Sequence, residues 1–477
     1  MPAMLAITGC GKSFLDVPPQ GQQPSEQFWK DQADATKAVN AIYANLREWK
    51  QVGFASVGIE SLGSDDTEKG SNASDASFLT KFDDFTVSAT EGQILDFWKG
   101  QYQEINFCNQ VLDNVPGIDM DEALKARYLA EAKFVRAYAY FRLVRAFGDV
   151  PLRLKVPADA NDYNLGRTAK EEVWAAIEKD LAEVAAALPP TYPATDLGRA
   201  TKGAALALHA KVAMYLKKWP DVLNYTNQVM GMGYTLYPNY EQLFRIAHEN
   251  STESVFEIQC QLILDSKDAS NSQFSQIQGV KGSVGGGWGF NVPTQSLVNE
   301  YEPGDPRRDA TILFRGETTP EGDLIPVGGD NPMFNQKSYV PFSLYVTGYN
   351  EGADQNVRVI RYADVLLMNA EAANEGGNTT LALKSLNEVR ARARGGNPAI
   401  LPDVTTTDKA ALRNAIWHER RVELAMERDR YFDVIRQGRA ATVFGPKGFK
   451  AGTNEVWPIP QNEIDISAGK LVQNPGY

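Results

Sequence analysis

The spacing of apolar residues predicts a chain built mainly of α-helices arranged in pairs. Two long helices are expected over Glu91–Val115 and Asp121–Phe147, with a turn at Pro116 and Gly117 between them. In the second segment, apolar residues recur every three, four or seven positions, so they share one helical stripe. That stripe consists of Leu124, Tyr128, Val135, Tyr138 and Phe141.

Further helix signals follow in the first half of the chain. Thr168 and Glu171 have the spacing of a capping box, which predicts that a helix starts there. A second helix pair is expected over Thr201–Lys218 and Asp221–Met230, with a turn at residues 219–220, where a proline follows a tryptophan.

The C-terminal half contains a helix pair of the tetratricopeptide type. Helices over Tyr362–Asn374 and Thr380–Arg394 cover one helix-turn-helix unit of about 34 residues. The second helix has an alanine-rich apolar stripe that suits close packing, although the strict repeat consensus is absent. The predicted fold class is therefore mainly α, with tetratricopeptide-like helix pairs in one large domain.

Between about residues 233 and 356 the helical periodicity stops, and Gly and Pro become frequent. Ser254–Ile263 alternates enough to predict a short strand. A loop-rich stretch of this length is usually functional or disordered, and its scattered aromatic residues argue against disorder. These residues are Trp288, Phe290, Tyr339, Phe342, Tyr345 and Tyr349. We predict a loop-rich, weakly β middle insertion.

A highly charged last helix is expected over Ala411–Arg436. Glu419, Glu423 and Glu427 would lie on one face, where each pair of like charges costs about 0.2–0.5 kcal/mol. The face could be a carboxylate or metal site, or part of a structural network with arginines. The network is favoured because structural ion pairs often imitate active sites. The arginines nearest in sequence are Arg420, Arg421, Arg428, Arg430 and Arg436.

Composition narrows the classes of function. The net charge of −12 disfavours nucleic acid and anionic lipid as partners, because both require a basic surface. Aromatic residues make up 10% of the chain, which would suit stacking on flat ligands such as sugars. Cys108 and Cys260 could pair, or each could be a buried small residue. No stretch after Cys10 has the roughly 18 consecutive apolar residues of a transmembrane helix.

The sequence contains no complete catalytic motif. His418 and Glu419 begin the metalloprotease pattern, but Val422 occupies the position of the second histidine. There is no nucleophile elbow, phosphate loop, EF-hand or CxxC motif. Two carboxylates that face each other across a cleft, as in glycosidases, stay open as an alternative. We therefore expect a protein that is not an enzyme and has neither cofactor nor metal.

Cys10 follows a short apolar run, a pattern typical of the acylated cysteine of bacterial lipoproteins. The alternative is a chance cysteine after a hydrophobic start. On the first interpretation, residues 1–10 are a shortened signal segment that ends at a lipidated Cys10, and residues 11–24 are a tether. Residues 25–477 then form the α-rich domain.

Four sequence blocks follow one another along the chain, and their combined order identifies a protein family more specifically than any single block. The first runs from Phe14 to Tyr43 and includes Phe28-Trp29, and the second is Ile360–Ala372. The third lies within residues 419–436, and the fourth, residues 458–477, closes on Asn-Pro-Gly-Tyr. Together they resemble the SusD/RagB family of Bacteroidetes outer-membrane lipoproteins over nearly the whole chain.

This resemblance implies a cell-surface lipoprotein of the outer membrane that sits on a SusC-like TonB-dependent transporter. Most characterised members capture glycans and pass them to that transporter, and some are associated with other nutrients, including peptides. The expected function is glycan capture without catalysis. Two alternatives stay open. The protein could bind peptides or another nutrient in the same uptake system, or it could be a scaffold lipoprotein that binds only protein.

The family blocks are fold elements, so they do not locate the ligand. The resemblance implies a ligand surface built from loops of the N-terminal third and the middle insertion. Trp288 is the favoured residue for stacking on a sugar because glycines flank it on a loop, the alternative being an anchor tucked into the body. The other candidates are Phe342 or Tyr345 as a second wall, and Asn291, Asp66 and Lys81 as polar contacts.

Overall fold

The computed structural model describes residues 28–261, 273–282, 286–345 and 353–477. Cys10, the signal segment and the tether lie outside these residues and stay predictions, and Tyr349 also lies outside them. The described chain is mainly helical, with 53% helix and 7% strand, which confirms the prediction of a mainly α fold. Cys108 and Cys260 are both thiols.

Nine helices of twelve or more residues form the framework of the described chain. They are α1 (Gln32–Asn45), α2 (Gly92–Asn114), α3 (Glu122–Phe147), α4 (Lys170–Val184), α5 (Lys202–Tyr215), α6 (Trp219–Met230), α7 (Tyr362–Glu375), α8 (Thr379–Ala393) and α9 (Lys409–Leu424). Shorter helices cover Trp49–Val52, Phe54–Val57, Thr80–Asp83, Ala160–Tyr163, Phe274–Gln278, Gln295–Glu300, Arg307–Thr311, Arg430–Arg436, Ala440–Phe444 and Gln461–Ile466.

The long helices pack in chain order, since each of the first eight contacts the next, and α9 contacts α7. The predicted pairs α2–α3, α5–α6 and α7–α8 are confirmed as neighbours. The Asp121 carboxylate accepts a hydrogen bond from the Leu124 amide at 2.8 Å and so caps α3. Trp219 and Pro220, expected in a turn, instead begin α6, where the missing N–H of proline breaks no helical hydrogen bond.

Two other predicted features of the helices are also wrong. Thr168 does not cap α4, because its backbone pairs with Val150, and the Asp149 carboxylate accepts from the Lys170 amide at 2.9 Å instead. The predicted last helix is two helices, α9 and Arg430–Arg436. Met426 and Arg428 have φ values of 68° and 72°, and a right-handed helix cannot continue through left-handed residues.

Within the described residues, six short strands form three two-stranded antiparallel sheets. They are β1 (Thr67–Gly70) with β3 (Phe290–Pro293), β2 (Ser254–Ile258) with β6 (Val357–Arg361), and β4 (Ile312–Phe314) with β5 (Met333–Asn335). The strand predicted from Ser254 is confirmed but ends at Ile258. Four of these strands lie between residues 233 and 356, which agrees with a weakly β insertion.

The β1–β3 sheet joins the N-terminal third to the middle of the chain. Gly70, which ends β1, has a φ of 70°, and a Cβ there would lie 2.4 Å from the carbonyl oxygen of Gly289. Only glycine permits this approach. The end of β1 therefore lies directly against the loop that carries Trp288.

Candidate functional site

The glutamates of α9 are buried in a network of arginines. Neither Glu419 nor Glu423 is exposed to solvent, and Arg307 bridges them with N–O distances of 2.6 and 3.1 Å. We name the group the arginine–glutamate cluster; its members are Glu253, Glu419, Glu423, Glu427, Arg307, Arg361, Arg390 and Arg392. The interpretation as a structural network is confirmed, although these arginines are not the ones nearest in sequence.

The arginines of this cluster keep its carboxylates charged. Burial alone would raise the pKa of Glu423, but the guanidinium groups of Arg392, Arg361 and Arg307 lower it to about 2. At neutral pH this carboxylate is therefore ionised and committed to its partners. Because the arginines come from β6, from α8 and from Arg307–Thr311, the cluster ties these elements to α9.

Asp66 also lies in the interior. It is 1% exposed, and its Oδ1 lies 2.8 Å from Nε of Arg421. Burial raises the pKa of Asp66. The neighbouring Asp65 carboxylate pairs with Arg430, with an Oδ1–Nε distance of 2.8 Å. The structure thus places Asp66 in a contact between the N-terminal third and the C-terminal helices, and not on the surface with Trp288.

Four partly exposed aromatic side chains form a continuous patch, which we name the aromatic platform: Trp49, Phe54, Phe78 and Trp288. The ring centroids of Trp49 and Trp288 are 6.3 Å apart. The Phe54 ring lies 5.9 Å from Trp288 and 5.9 Å from Phe78. Phe290 is buried beneath them, 4.9 Å from Phe54. The platform combines residues from the N-terminal third and the middle insertion.

The loop that carries Trp288 is held at three points. The Trp288 amide donates to the Gln276 carbonyl, and the Gly289 amide donates to the Gly279 carbonyl, both at 2.9 Å. The Gly289 carbonyl accepts from the Ser71 amide. Both alternatives for Trp288 therefore hold in part, because its backbone is anchored while its ring stays partly exposed.

Two of the other candidates lie close to this loop. The Tyr345 hydroxyl is 3.2 Å from the position that a Cβ would occupy at Gly279, and burial raises the pKa of Tyr345. Asn291 is 1% exposed and donates to Gln278 at 2.8 Å. Tyr345 thus flanks the loop, whereas Asn291 is buried and contacts Gln278, the residue before Gly279.

The remaining candidates differ in their surroundings. Phe342 packs against Tyr339, with ring centroids 6.3 Å apart, in a small apolar cluster of the middle insertion. Lys81 lies three residues after Phe78, has a side chain that is 46% exposed, and pairs with Glu91. Lys81 is thus available to solvent near the platform, and Phe342 mainly fills a neighbouring apolar cluster.

Sequence reasoning missed several residues of this surface. Trp49, Phe54 and Phe78 carry no pattern that separates them from core aromatic residues. Beside the platform, Lys281 and Asp75 form an ion pair, and the hydrogen bond from Lys281 lowers the pKa of Asp75. Their side chains are 33% and 39% exposed, so this rim offers both donor and acceptor groups to solvent.

The comparisons identify a class of helical proteins. A sequence model of the SusD family matches residues 252–477, and one described as starch-binding proteins associating with the outer membrane matches residues 13–216. SusD-like protein P2 of Formosa agariphila is 28% identical over 99% of this chain and 98% of its own. A SusD-like protein of Bacteroides ovatus is 28% identical over 90% of this chain and 80% of its own.

Solved structures agree with this class. A laminarin-binding SusD-like protein is 30% identical, with a TM-score of 0.82 over 94% of this chain and 100% of its own. Surface glycan-binding protein A of Bacteroides fluxus is 25% identical, with a TM-score of 0.79 over 94% of this chain and 100% of its own. The chain belongs to the SusD/RagB family. None of the helices in the described ranges combines the length and apolarity needed to cross a bilayer.

Proposed function

We propose that this protein captures a glycan on the aromatic platform and passes it, without catalysis, to a SusC-like TonB-dependent transporter. The observation that carries the proposal is the platform itself. It presents four partly exposed rings on anchored backbone, and aromatic rings of this kind stack on the apolar faces of sugars. A lipid on Cys10 would hold the protein at the cell surface beside the transporter.

The geometry suits a glycan chain better than a single flat ring. The planes of Trp49 and Trp288 are inclined by 56°, so successive sugars that stack on both must change direction between them. Lys281, Asp75 and Lys81 would bond the hydroxyl rims, and Tyr345 would form a second wall beside Trp288.

Laminarin is the first glycan to test. The laminarin-binding SusD-like protein matches this chain at 30% identity over almost its whole length. Because laminarin is a β-glucan, that likeness supports a β-glucan as ligand. The family model that matches residues 13–216 is described as starch-binding, and starch is an α-glucan. The two polysaccharides therefore belong in the same experiment.

The buried carboxylates support binding without bond cleavage. Most glycoside hydrolases use one carboxyl group that holds a proton and a second carboxylate that acts as base or nucleophile at the scissile bond. Glu419 and Glu423 are unexposed and paired with arginines, so neither can reach a sugar. Release of reducing sugar by the purified protein would contradict this part of the proposal.

Native affinity electrophoresis tests the proposal. Purified protein from Gly11 onward is run through gels that contain laminarin, starch, xylan, mannan, pectin or alginate. We expect retardation in at least one gel, and co-purification with the transporter when both are expressed. If no polysaccharide retards the protein while a peptide mixture binds to it, the ligand class is wrong.

A further inference from the structure

A cleft lies on the side of α2 that faces away from the platform. At Gly100, α2 packs against Lys50, the neighbour of Trp49, and a Cβ there would lie 3.0 Å from the Lys50 Cβ. Trp98 and Tyr102 are each two positions from Gly100, about 200° around the helix, and so lie on the opposite side. These two side chains form the floor of the cleft, with ring centroids 5.0 Å apart.

The walls of this cleft are unusually exposed for apolar side chains. Tyr163 is 61% exposed and Ile466 is 69% exposed, and both border the cleft. The cleft has a volume of about 280 Å³. That volume lies near the lower end of small-ligand sites, which begin at about 300 Å³, and suits one or two sugar rings.

The backbone that presents Tyr163 is firmly anchored. Arg153 donates to the carbonyl of Asp162 at 2.7 Å and also to that of Tyr163. Arg153 is itself fixed, because its amide donates to the Tyr140 hydroxyl at 2.6 Å and its carbonyl accepts from Asn109 at 3.1 Å. An exposed ring on an anchored segment loses little conformational freedom when a ligand stacks on it.

Polar side chains that form no hydrogen bond or ion pair with any described residue complete the cleft. Lys99, Gln103, Asn164 and Glu463 line it, and within the described part of the chain their side chains make no hydrogen bond or ion pair. They supply an ammonium donor, a carboxylate acceptor and two amides that both donate and accept. A sugar rim, whose hydroxyls both donate and accept, matches this set.

We propose that this cleft is a second carbohydrate site that binds one or two residues of a glycan chain, with Tyr163 as the stacking residue. The proposal rests on the proposed function, since it assumes the same polysaccharide. With sites on both sides of α2, a long polysaccharide or two neighbouring chains can engage the protein at two points. Binding to polysaccharide is then tighter than binding to a short oligosaccharide through avidity.

The test compares Tyr163→Ala with Leu324→Ala, a matched change at a residue that is 63% exposed and distant in sequence from the cleft. Both variants are run through the gels described above, and affinities are taken from the polysaccharide concentration that halves mobility. We expect Tyr163→Ala to lose about fivefold in affinity, on the scale of one stacking contact, and Leu324→Ala to match wild type. The double variant Trp49→Ala/Trp288→Ala should still be weakly retarded through the cleft. Adding Tyr163→Ala to this double variant should remove the remaining retardation.

The outcomes separate the two proposals. If wild type is retarded and Tyr163→Ala stays within twofold of it, the second site is wrong and the platform proposal stands. If no polysaccharide retards wild type, both proposals fail. If Tyr163→Ala leaves retardation unchanged but weakens co-purification with the transporter, the cleft contacts protein and not sugar. Melting temperatures of both variants equal to that of wild type would show that both are folded.

Discussion

The arginine–glutamate cluster and the aromatic platform differ in how far their side chains are committed to the protein. In the cluster, Glu423 is unexposed and lies between arginines from three different elements. In the platform, the rings of Trp49 and Trp288 rest on anchored backbone but stay partly open to solvent. Regularly spaced charged residues can therefore be structural. Ligand binding is expected where side chains stay exposed to solvent.

Glu423→Ala should produce the largest effect. It would leave the buried guanidinium groups of Arg307, Arg361 and Arg392 without their shared carboxylate, and breaking a buried ion pair costs about 3–5 kcal/mol. Urea denaturation at pH 7 measures the loss in free energy of unfolding. Asp403→Ala, which removes an exposed partner of Arg394, serves as control and should cost less than about 1 kcal/mol. Similar losses for both variants would contradict the structural role of the cluster.

Glu104→Gln tests a buried carboxyl group that has no ion-pair partner among the described residues. Glu104 accepts a hydrogen bond from Asn45 at 2.6 Å, and burial raises its pKa to about 8 from an ordinary value of 4.5. Its contribution to stability is complete below pH 4.5 and is lost as pH rises towards 8. The glutamine has no proton to lose, so the variant should gain more than about 1 kcal/mol over wild type at pH 8.

Denaturation curves of wild type and Glu104→Gln at pH 4.5 and pH 8 measure this difference. Glu171→Gln, an exposed change near the start of α4, controls for the loss of one negative charge. The stability difference between Glu104→Gln and wild type could instead be the same at both pH values. That result would show that the buried carboxyl group does not take up a proton on folding.

Lys81→Ala should have the smallest effect. Its side chain is 46% exposed and pairs with Glu91, and exposed ion pairs contribute less than about 1 kcal/mol. We expect the affinity for laminarin or starch to fall by less than about threefold and the melting temperature to stay unchanged. A loss as large as that of Trp288→Ala would move Lys81 from the rim to the centre of the site.

Periodicity predicted most of the long helices. Helices α2 and α3 lie within one residue of their expected bounds because their apolar stripes are long and regular. The break after Leu424 was missed, since the left-handed residues are Met426 and Arg428 and no glycine marks them. Local patterns do not reveal such a break, because it is imposed by packing.

The candidate site was predicted only in part, because it depends on long-range contacts. Trp288 was singled out from its glycine-rich loop, but its neighbours Trp49 and Phe54 belong to the N-terminal third, which β1 and β3 join to this loop. Asp66, a candidate polar contact, is instead buried against Arg421, which lies 355 positions away along the chain. Neither contact leaves a signal in the local sequence.

Glycan capture by the aromatic platform is tested most directly by titrating wild type, Trp288→Ala and Trp219→Ala with the polysaccharide that retards wild type. Trp219 is a matched control because it is also partly exposed but lies at the start of α6. We expect Trp288→Ala to lose at least about tenfold in affinity, as for a central contact residue, and Trp219→Ala to bind like wild type. Equal affinities for all three proteins would contradict capture at the platform.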